Sequence, residues 1–254
     1  MKKSLLLLSA LLASLEADAD DRLFLHQVDT LEFFRGYEPD TIFPFPVKVR
    51  MSEQSLRHWL QELTEEDYKE VAEELGVEVA AIKAVVHIET GGQHHGFNDD
   101  GSVLINFDLN IYRQQLSRRG LSINSARASA PEAFQSPNVR KYGTRQKAQW
   151  ARLEAARKFD SDTANEGVFW GMFQIGGFNW KLCGCDSVDE FVELMGRSER
   201  DQLELFARFC NARNLTRFIR AKDWDGFSLR YNGPGYKSKG YDTKMAAAYK
   251  RFKK

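Results

Sequence analysis

A glutamate closes an otherwise apolar helical stripe in residues 77–92. Val79, Ile82, Val85 and Val86 recur at three- and four-residue spacing, which puts them on one helical face, and Glu89 continues that face. Gly91 and Gly92 stop the helix just beyond it. The carboxyl is therefore expected on the last turn, beside unpaired carbonyls and the negative end of the helix dipole. Desolvation and dipole both disfavour the ionised form, and a carboxyl that holds its proton near neutral pH is what general acid catalysis needs. A solvated glutamate at a frayed helix end is the alternative for this stretch.

Two later runs set polar groups among glycines and aromatics. In Trp170-Gly171-Met172-Phe173-Gln174-Ile175, the glycine lets the main chain approach a ligand, and the Gln174 amide both donates and accepts hydrogen bonds. The same run also reads as a buried helix start packed by Trp170 and Phe173. Tyr231 and Asn232 lead into Gly233-Pro234-Gly235, in isolation simply a tight loop. His87, His94 and His95 are close in sequence, but His87 sits two residues before Glu89 and faces elsewhere on the helix. No metal and no cofactor are expected.

These groups must be positioned by a chain of 254 residues, 43% of them apolar, enough for a real core. Lysine plus arginine equal aspartate plus glutamate at 36 each, so no global charge argues for nucleic acid or an anionic membrane surface. Cys183, Cys185 and Cys210 make an odd count, and the first two are too close in sequence for an unstrained bridge. Free or partly buried thiols are expected, with a bridge from Cys210 as the lesser alternative.

Lys2 and Lys3, the apolar run 5–15 and Ala17-Asp18-Ala19 have the pattern of an export signal over residues 1–19, although Glu16 and Asp18 are unusual there and leave a retained anchor open. Residues 20–62 read as an aromatic, proline-rich arm followed by a first amphipathic helix over 52–63. Thr64-Glu65-Glu66-Asp67 is a capping signature opening a helix that ends at Leu75-Gly76. Asn98-Asp99-Asp100-Gly101 is a turn signal before the β-prone run 103–107, so a small hairpin should follow the Glu89 helix. Residues 120–142 read as a long irregular surface loop, with helices again at 144–159, after a capping box at Ser187-Val188-Asp189-Glu190, from Ser198, and at about 243–252.

The order and spacing of the Glu89, Gln174 and Tyr231-Asn232 motifs resemble the lysozyme-like superfamily, and within it the bacterial and phage N-acetylmuramidases that often form the catalytic module of endolysins. The likeness covers roughly residues 63–252. It implies a mainly α, α+β lysozyme-like fold over residues 63–254, with a small β-hairpin after the catalytic helix. The implied activity is that of a glycosidase cleaving the β-1,4 bond between N-acetylmuramic acid and N-acetylglucosamine in peptidoglycan glycan strands; with the export signal read above, an exported protein is expected, acting as a monomer. Glu89 would be the general acid, with Gln174, Tyr231 and Asn232 binding or orienting. A lytic transglycosylase and a catalytically silent wall-binding protein are the rivals.

The chain departs from the family pattern in three places. Leu104-Ile105-Asn106-Phe107-Asp108 stands where the strand commonly carries Leu-Phe-Glu, Thr90 stands where Ser is usual, and Phe169 replaces a small residue. The second catalytic carboxylate is therefore the least defined group. Asp108 is expected to supply it, being held on a strand, whereas Asp99 and Asp100 read as turn formers.

Overall fold

The computed structural model describes residues 24–27, 48–51, 62–92 and 95–254. Contacts divide the chain into two units, residues 1–60 and 61–254. In the first, strands β1 (Phe24–Gln27) and β2 (Lys48–Met51) pair antiparallel, with Phe24 opposite Met51. The expected export signal lies outside the described residues, as do most of the aromatic arm and nearly all of the amphipathic segment 52–63.

The second unit begins with α1 (Glu65–Leu75) and α2 (Val79–Glu89). The box opening α1 is complete: the Thr64 hydroxyl accepts from the Asp67 amide, and the Asp67 carboxylate accepts from the Thr64 amide at 2.8 Å. Gly76 ends α1 at φ 60°. Ile82, Val85 and Val86 are fully buried, each worth about 1.5–3 kcal/mol of burial, and this face fixes how α2 is rotated.

After α2, Phe97 and Val103 form a single antiparallel bridge around the turn 98–101, the expected hairpin in its smallest form. The β-prone run then finds other partners. Strand β3 (Ile105–Phe107) pairs with β4 (Val168–Trp170), and β4 with β5 (Ile175–Gly176), in one antiparallel sheet. Between β3 and β4 come α3 (Leu109–Arg118), α4 (Ile123–Ser129), α5 (Val139–Tyr142), α6 (Arg145–Arg157) and α7 (Ser161–Glu166).

The long loop expected over 120–142 is thus a correction: it contains α4, a 3-10 turn at Pro131–Phe134, and α5. Ser122 and Asn138 cap the two helices through their side chains, and Ala126 and Ala133 are fully buried. The Ser, Asn and Pro content that reads as loop is here used for capping short helices.

Helix α6 closes the free edge of β3. Gln146 accepts from the Ile105 amide and donates to the Ile105 carbonyl, both at 3.1 Å, as a neighbouring strand would. Trp150 donates to the Val103 carbonyl and Arg152 to that of Phe107. These bonds satisfy edge groups that would otherwise be orphaned.

The chain ends in α8 (Val188–Arg197), α9 (Glu199–Ala212), α10 (Thr216–Ala221), α11 (Trp224–Asn232), α12 (Tyr236–Lys239) and α13 (Tyr241–Phe252). Ser187 caps α8, but Glu190 reaches back to the Asp186 amide, so only half of the expected box forms. Helix α13 lies along α2, and α9 packs against both α1 and α8. All three cysteines are free and buried.

Candidate active site

Glu89 is the last residue of α2. Beyond it the Gly92 amide donates to the His87 carbonyl at 2.7 Å, and Gly91 and Gly92 take φ of 63° and 78°. The helix therefore ends where the two glycines stand, a conformation that a side-chain-bearing residue adopts only with strain. Thr90 turns its hydroxyl back to the Val86 carbonyl at 2.7 Å.

The Glu89 carboxyl faces a cleft of about 980 Å³. One side is formed by the turn residues Phe97, Asn98, Asp99, Asp100 and Ser102 with Leu104, a second by Thr144, Arg145, Gln146, Lys147 and Trp150 at the start of α6, and a third by Gly171, Met172 and Gln174. Glu89 is partly accessible from the cleft, yet protein surrounds it closely enough that desolvation raises its pKa from 4.5 to about 7. A hydrogen bond from Asn232 opposes that rise. The Asn232 amide donates to Glu89 Oε1 at 3.0 Å from the end of α11, so the carboxyl is fixed in orientation. A frayed, solvated Glu89 does not fit this geometry.

The Trp170–Ile175 run is a β-turn corner, not the start of a helix. Trp170 pairs with Ile175 across the loop, and Gly171 and Gln174 take left-handed φ of 68° and 49°. Gln174 is strained there, and its side-chain amide donates to the Gly171 carbonyl at 2.8 Å, which helps hold it. That amide keeps a second N–H and an acceptor oxygen for a ligand in the cleft.

Tyr231 takes a different place from Asn232. Its hydroxyl donates to the Phe173 carbonyl at 3.0 Å, and its ring stacks on Phe227 with centroids 5.4 Å apart. It anchors the loop that carries Gln174 and does not line the cleft. His87 also turns away, edge-on to Phe252.

Asp108, expected as the second carboxylate, is placed away from the cleft and beyond the end of strand β3. It is the N-cap of α3, with Oδ1 accepting from the amides of Asn110 at 2.8 Å and Ile111 at 3.0 Å, and it is not among the cleft residues. An aspartate one residue before a helix satisfies orphan amides there, and that demand decides its orientation. Among the described residues, the acids that share the cleft with Glu89 are Asp99 and Asp100. Asp100 accepts from the amide and hydroxyl of Ser102, which hold its carboxyl below the usual range.

The start of α6 is a cleft wall that the sequence did not disclose. Arg145 and Lys147 stand in its first turn, which contains no acidic residue and where the helix dipole already favours anions. Cations in a first turn are the signal that could have drawn attention to it.

A mainly helical unit with a small antiparallel sheet has the architecture of the lysozyme-like class, and a half-buried glutamate ending a helix over an open cleft is its candidate acid. The sequence matches the family model for N-acetylmuramidase over residues 78–253, and the chain belongs to that family. Among solved structures it is similar to the crystal structure of a Burkholderia AP3 phage endolysin, at 34% identity and a TM-score of 0.66, over 76% of this chain and 72% of that one. No curated protein matches it in sequence. The protein is thus a lysozyme-like glycoside hydrolase acting on peptidoglycan.

Proposed function

We propose that the protein is an N-acetylmuramidase that cleaves the β-1,4 bond between N-acetylmuramic acid and N-acetylglucosamine, with Glu89 as general acid. The observation that carries this reading is the Glu89 carboxyl, raised to about 7 by burial, oriented by Asn232 and open to the cleft. The Glu89 proton passes to the glycosidic oxygen as the bond from that oxygen to the sugar C1 breaks, so the departing sugar leaves as an alcohol and positive charge builds on the ring that contains C1. Gln174 binds sugar hydroxyl or N-acetyl groups. Arg145 and Lys147 give the opposite wall a positive face toward the carboxylates that a muramoyl unit and its peptide bear. The protein acts as a monomer, and the export signal read in residues 1–19 is its proposed route to the wall.

A water molecule must then meet the ring at C1, and its proton must go to a base. In the hydrolytic reading that base comes from Asp99 or Asp100. One observation favours a lytic transglycosylase as the second reading: Asp108 is committed to a helix cap, and both cleft aspartates sit in an exposed turn. In that chemistry the substrate's own hydroxyl closes a 1,6-anhydro ring and no second carboxylate is needed.

Replacing Glu89 by Gln keeps shape and removes the proton, so the variant should fold normally and lose about a hundredfold or more in turnover. Mass analysis of fragments from purified peptidoglycan tests the rest. Reducing N-acetylmuramic acid ends are expected; 1,6-anhydro ends would replace hydrolysis by the transglycosylase reading. A Glu89→Gln variant that digests peptidoglycan at the wild-type rate would end both.

A further inference from the structure

We propose that Glu199 and Gln202, one helical turn apart at the start of α9, are positioning residues that brace two walls of the cleft from behind. Neither lines the cleft. Glu199 is 2% exposed, and its Oε1 accepts from the Gly96 amide at 2.8 Å while Oε2 accepts from the Leu63 amide at 3.2 Å. Gln202 is fully buried, with Oε1 accepting from the Met172 amide and Nε2 donating to the Met195 carbonyl, both at 2.8 Å. Gly96 precedes the turn that forms one wall. Met172 belongs to the corner that carries Gln174.

The two segments also press on the same amide group. A Cβ on Gly96 would lie 2.2 Å from Gln202 Oε1, and one on Gly171 would lie 2.5 Å from it. A side chain at either place would have to push the Gln202 amide out of its hydrogen bonds. On the far side the segments are tied through Leu104, whose amide donates to the Gly96 carbonyl at 2.9 Å and whose carbonyl accepts from Gly171 at 2.8 Å. The hydrogen bonds at Gly96, Leu104, Gly171 and Met172, joined by the chain step from Gly171 to Met172 and by α9 between Glu199 and Gln202, therefore close a loop around the base of both walls.

Stability alone does not call for this arrangement. A carboxyl and an amide with almost no solvent contact are costly to bury, and an apolar α9 face would pack without that cost. What the polar pair supplies is a defined acceptor for each of two backbone amides, and so a fixed separation between the turn bearing Phe97 and the corner bearing Gln174. A misplacement of about 1 Å in such a wall is enough to cost up to about a hundredfold in rate.

The functional part of this inference rests on the proposed glycosidase reading. Its test uses Glu199→Gln, whose amide can accept from one neighbour but must face the other with a donor, and Gln202→Met, which neither accepts nor donates. Leu116→Ala, a fully buried site on α3, serves as a destabilised control. Backbone amide exchange is followed together with kcat and KM on soluble peptidoglycan fragments, per folded molecule and well below each melting point.

In both α9 variants the Gly96 and Met172 amides should exchange faster while those of α2 do not. The value of kcat/KM should fall about tenfold or more, with KM raised and, in Gln202→Met, the pH profile unmoved, because the Glu89–Asn232 pair is untouched. Leu116→Ala should melt earlier yet keep its kcat/KM. Unchanged exchange at Gly96 and Met172 overturns the brace itself, and faster exchange with wild-type kcat/KM overturns its role in catalysis. A wild-type protein inactive on peptidoglycan would instead remove the glycosidase reading, leaving the brace to be judged by exchange.

Discussion

The hydrogen bond from Asn232 to Glu89 makes an uncommon prediction: deleting it should extend activity toward alkaline pH even as it lowers the maximum. Asn232 donates to Oε1 at 3.0 Å, and a donor favours the ionised carboxylate, so it holds the Glu89 pKa below the value burial alone would give. A hydrogen bond to a charged group contributes about 1.5–3 kcal/mol and one to a neutral group about 0.5–1.5 kcal/mol. The difference of about 1–2 kcal/mol corresponds to about one pH unit. Asn232→Leu, similar in size and without a donor, should therefore carry the alkaline limb of kcat/KM about one unit upward from its wild-type position near the Glu89 pKa of about 7. The plateau should drop because the carboxyl is no longer held toward the cleft. Initial rates on purified peptidoglycan at constant ionic strength across the pH range supply the profile, and carbon NMR of labelled glutamate gives the Glu89 titration directly. A limb that stays in place or moves downward would refute the assignment of Glu89 as the titrating acid or of Asn232 as its donor.

Removing the N-cap with Asp108→Ala should cost about 1 kcal/mol of stability in denaturant melts and leave turnover per folded molecule unchanged; a collapse in turnover would restore Asp108 to the chemistry. Tyr231→Phe frees the Phe173 carbonyl, so turnover should fall by less than in Glu89→Gln, with the pH profile in place. A shifted profile would instead put the hydroxyl in direct contact with the acid. Glu89 has a folded pKa raised from 4.5 to about 7, so its contribution to stability is full below 4.5 and is lost as pH rises through 7. Between pH 5 and 8 the wild type should lose up to about 3 kcal/mol more stability than Glu89→Gln, and equal losses in the two melts would contradict the burial argument.

The helix that ends in Glu89 was legible in the sequence because its signals are local. Three- and four-residue spacing sets the buried face of α2, Glu89 extends it, and two glycines end it, so neighbouring residues suffice to put a desolvated carboxyl at a helix end. The caps at Thr64, Thr144 and Ser198 are local too, one side chain answering an amide three residues on. Tertiary structure decided what depends on contacts far along the chain. Strand β3 could have closed a hairpin with the segment before it, yet it pairs with β4 more than sixty residues later, and Asp108 is thereby carried to the start of α3 and away from the cleft. Asn232 meets Glu89 across 143 positions, and Glu199 meets Gly96 across 103. No periodicity encodes such pairs, because a buried carboxyl or amide is satisfied by whichever backbone or side chain the packed helices bring to it.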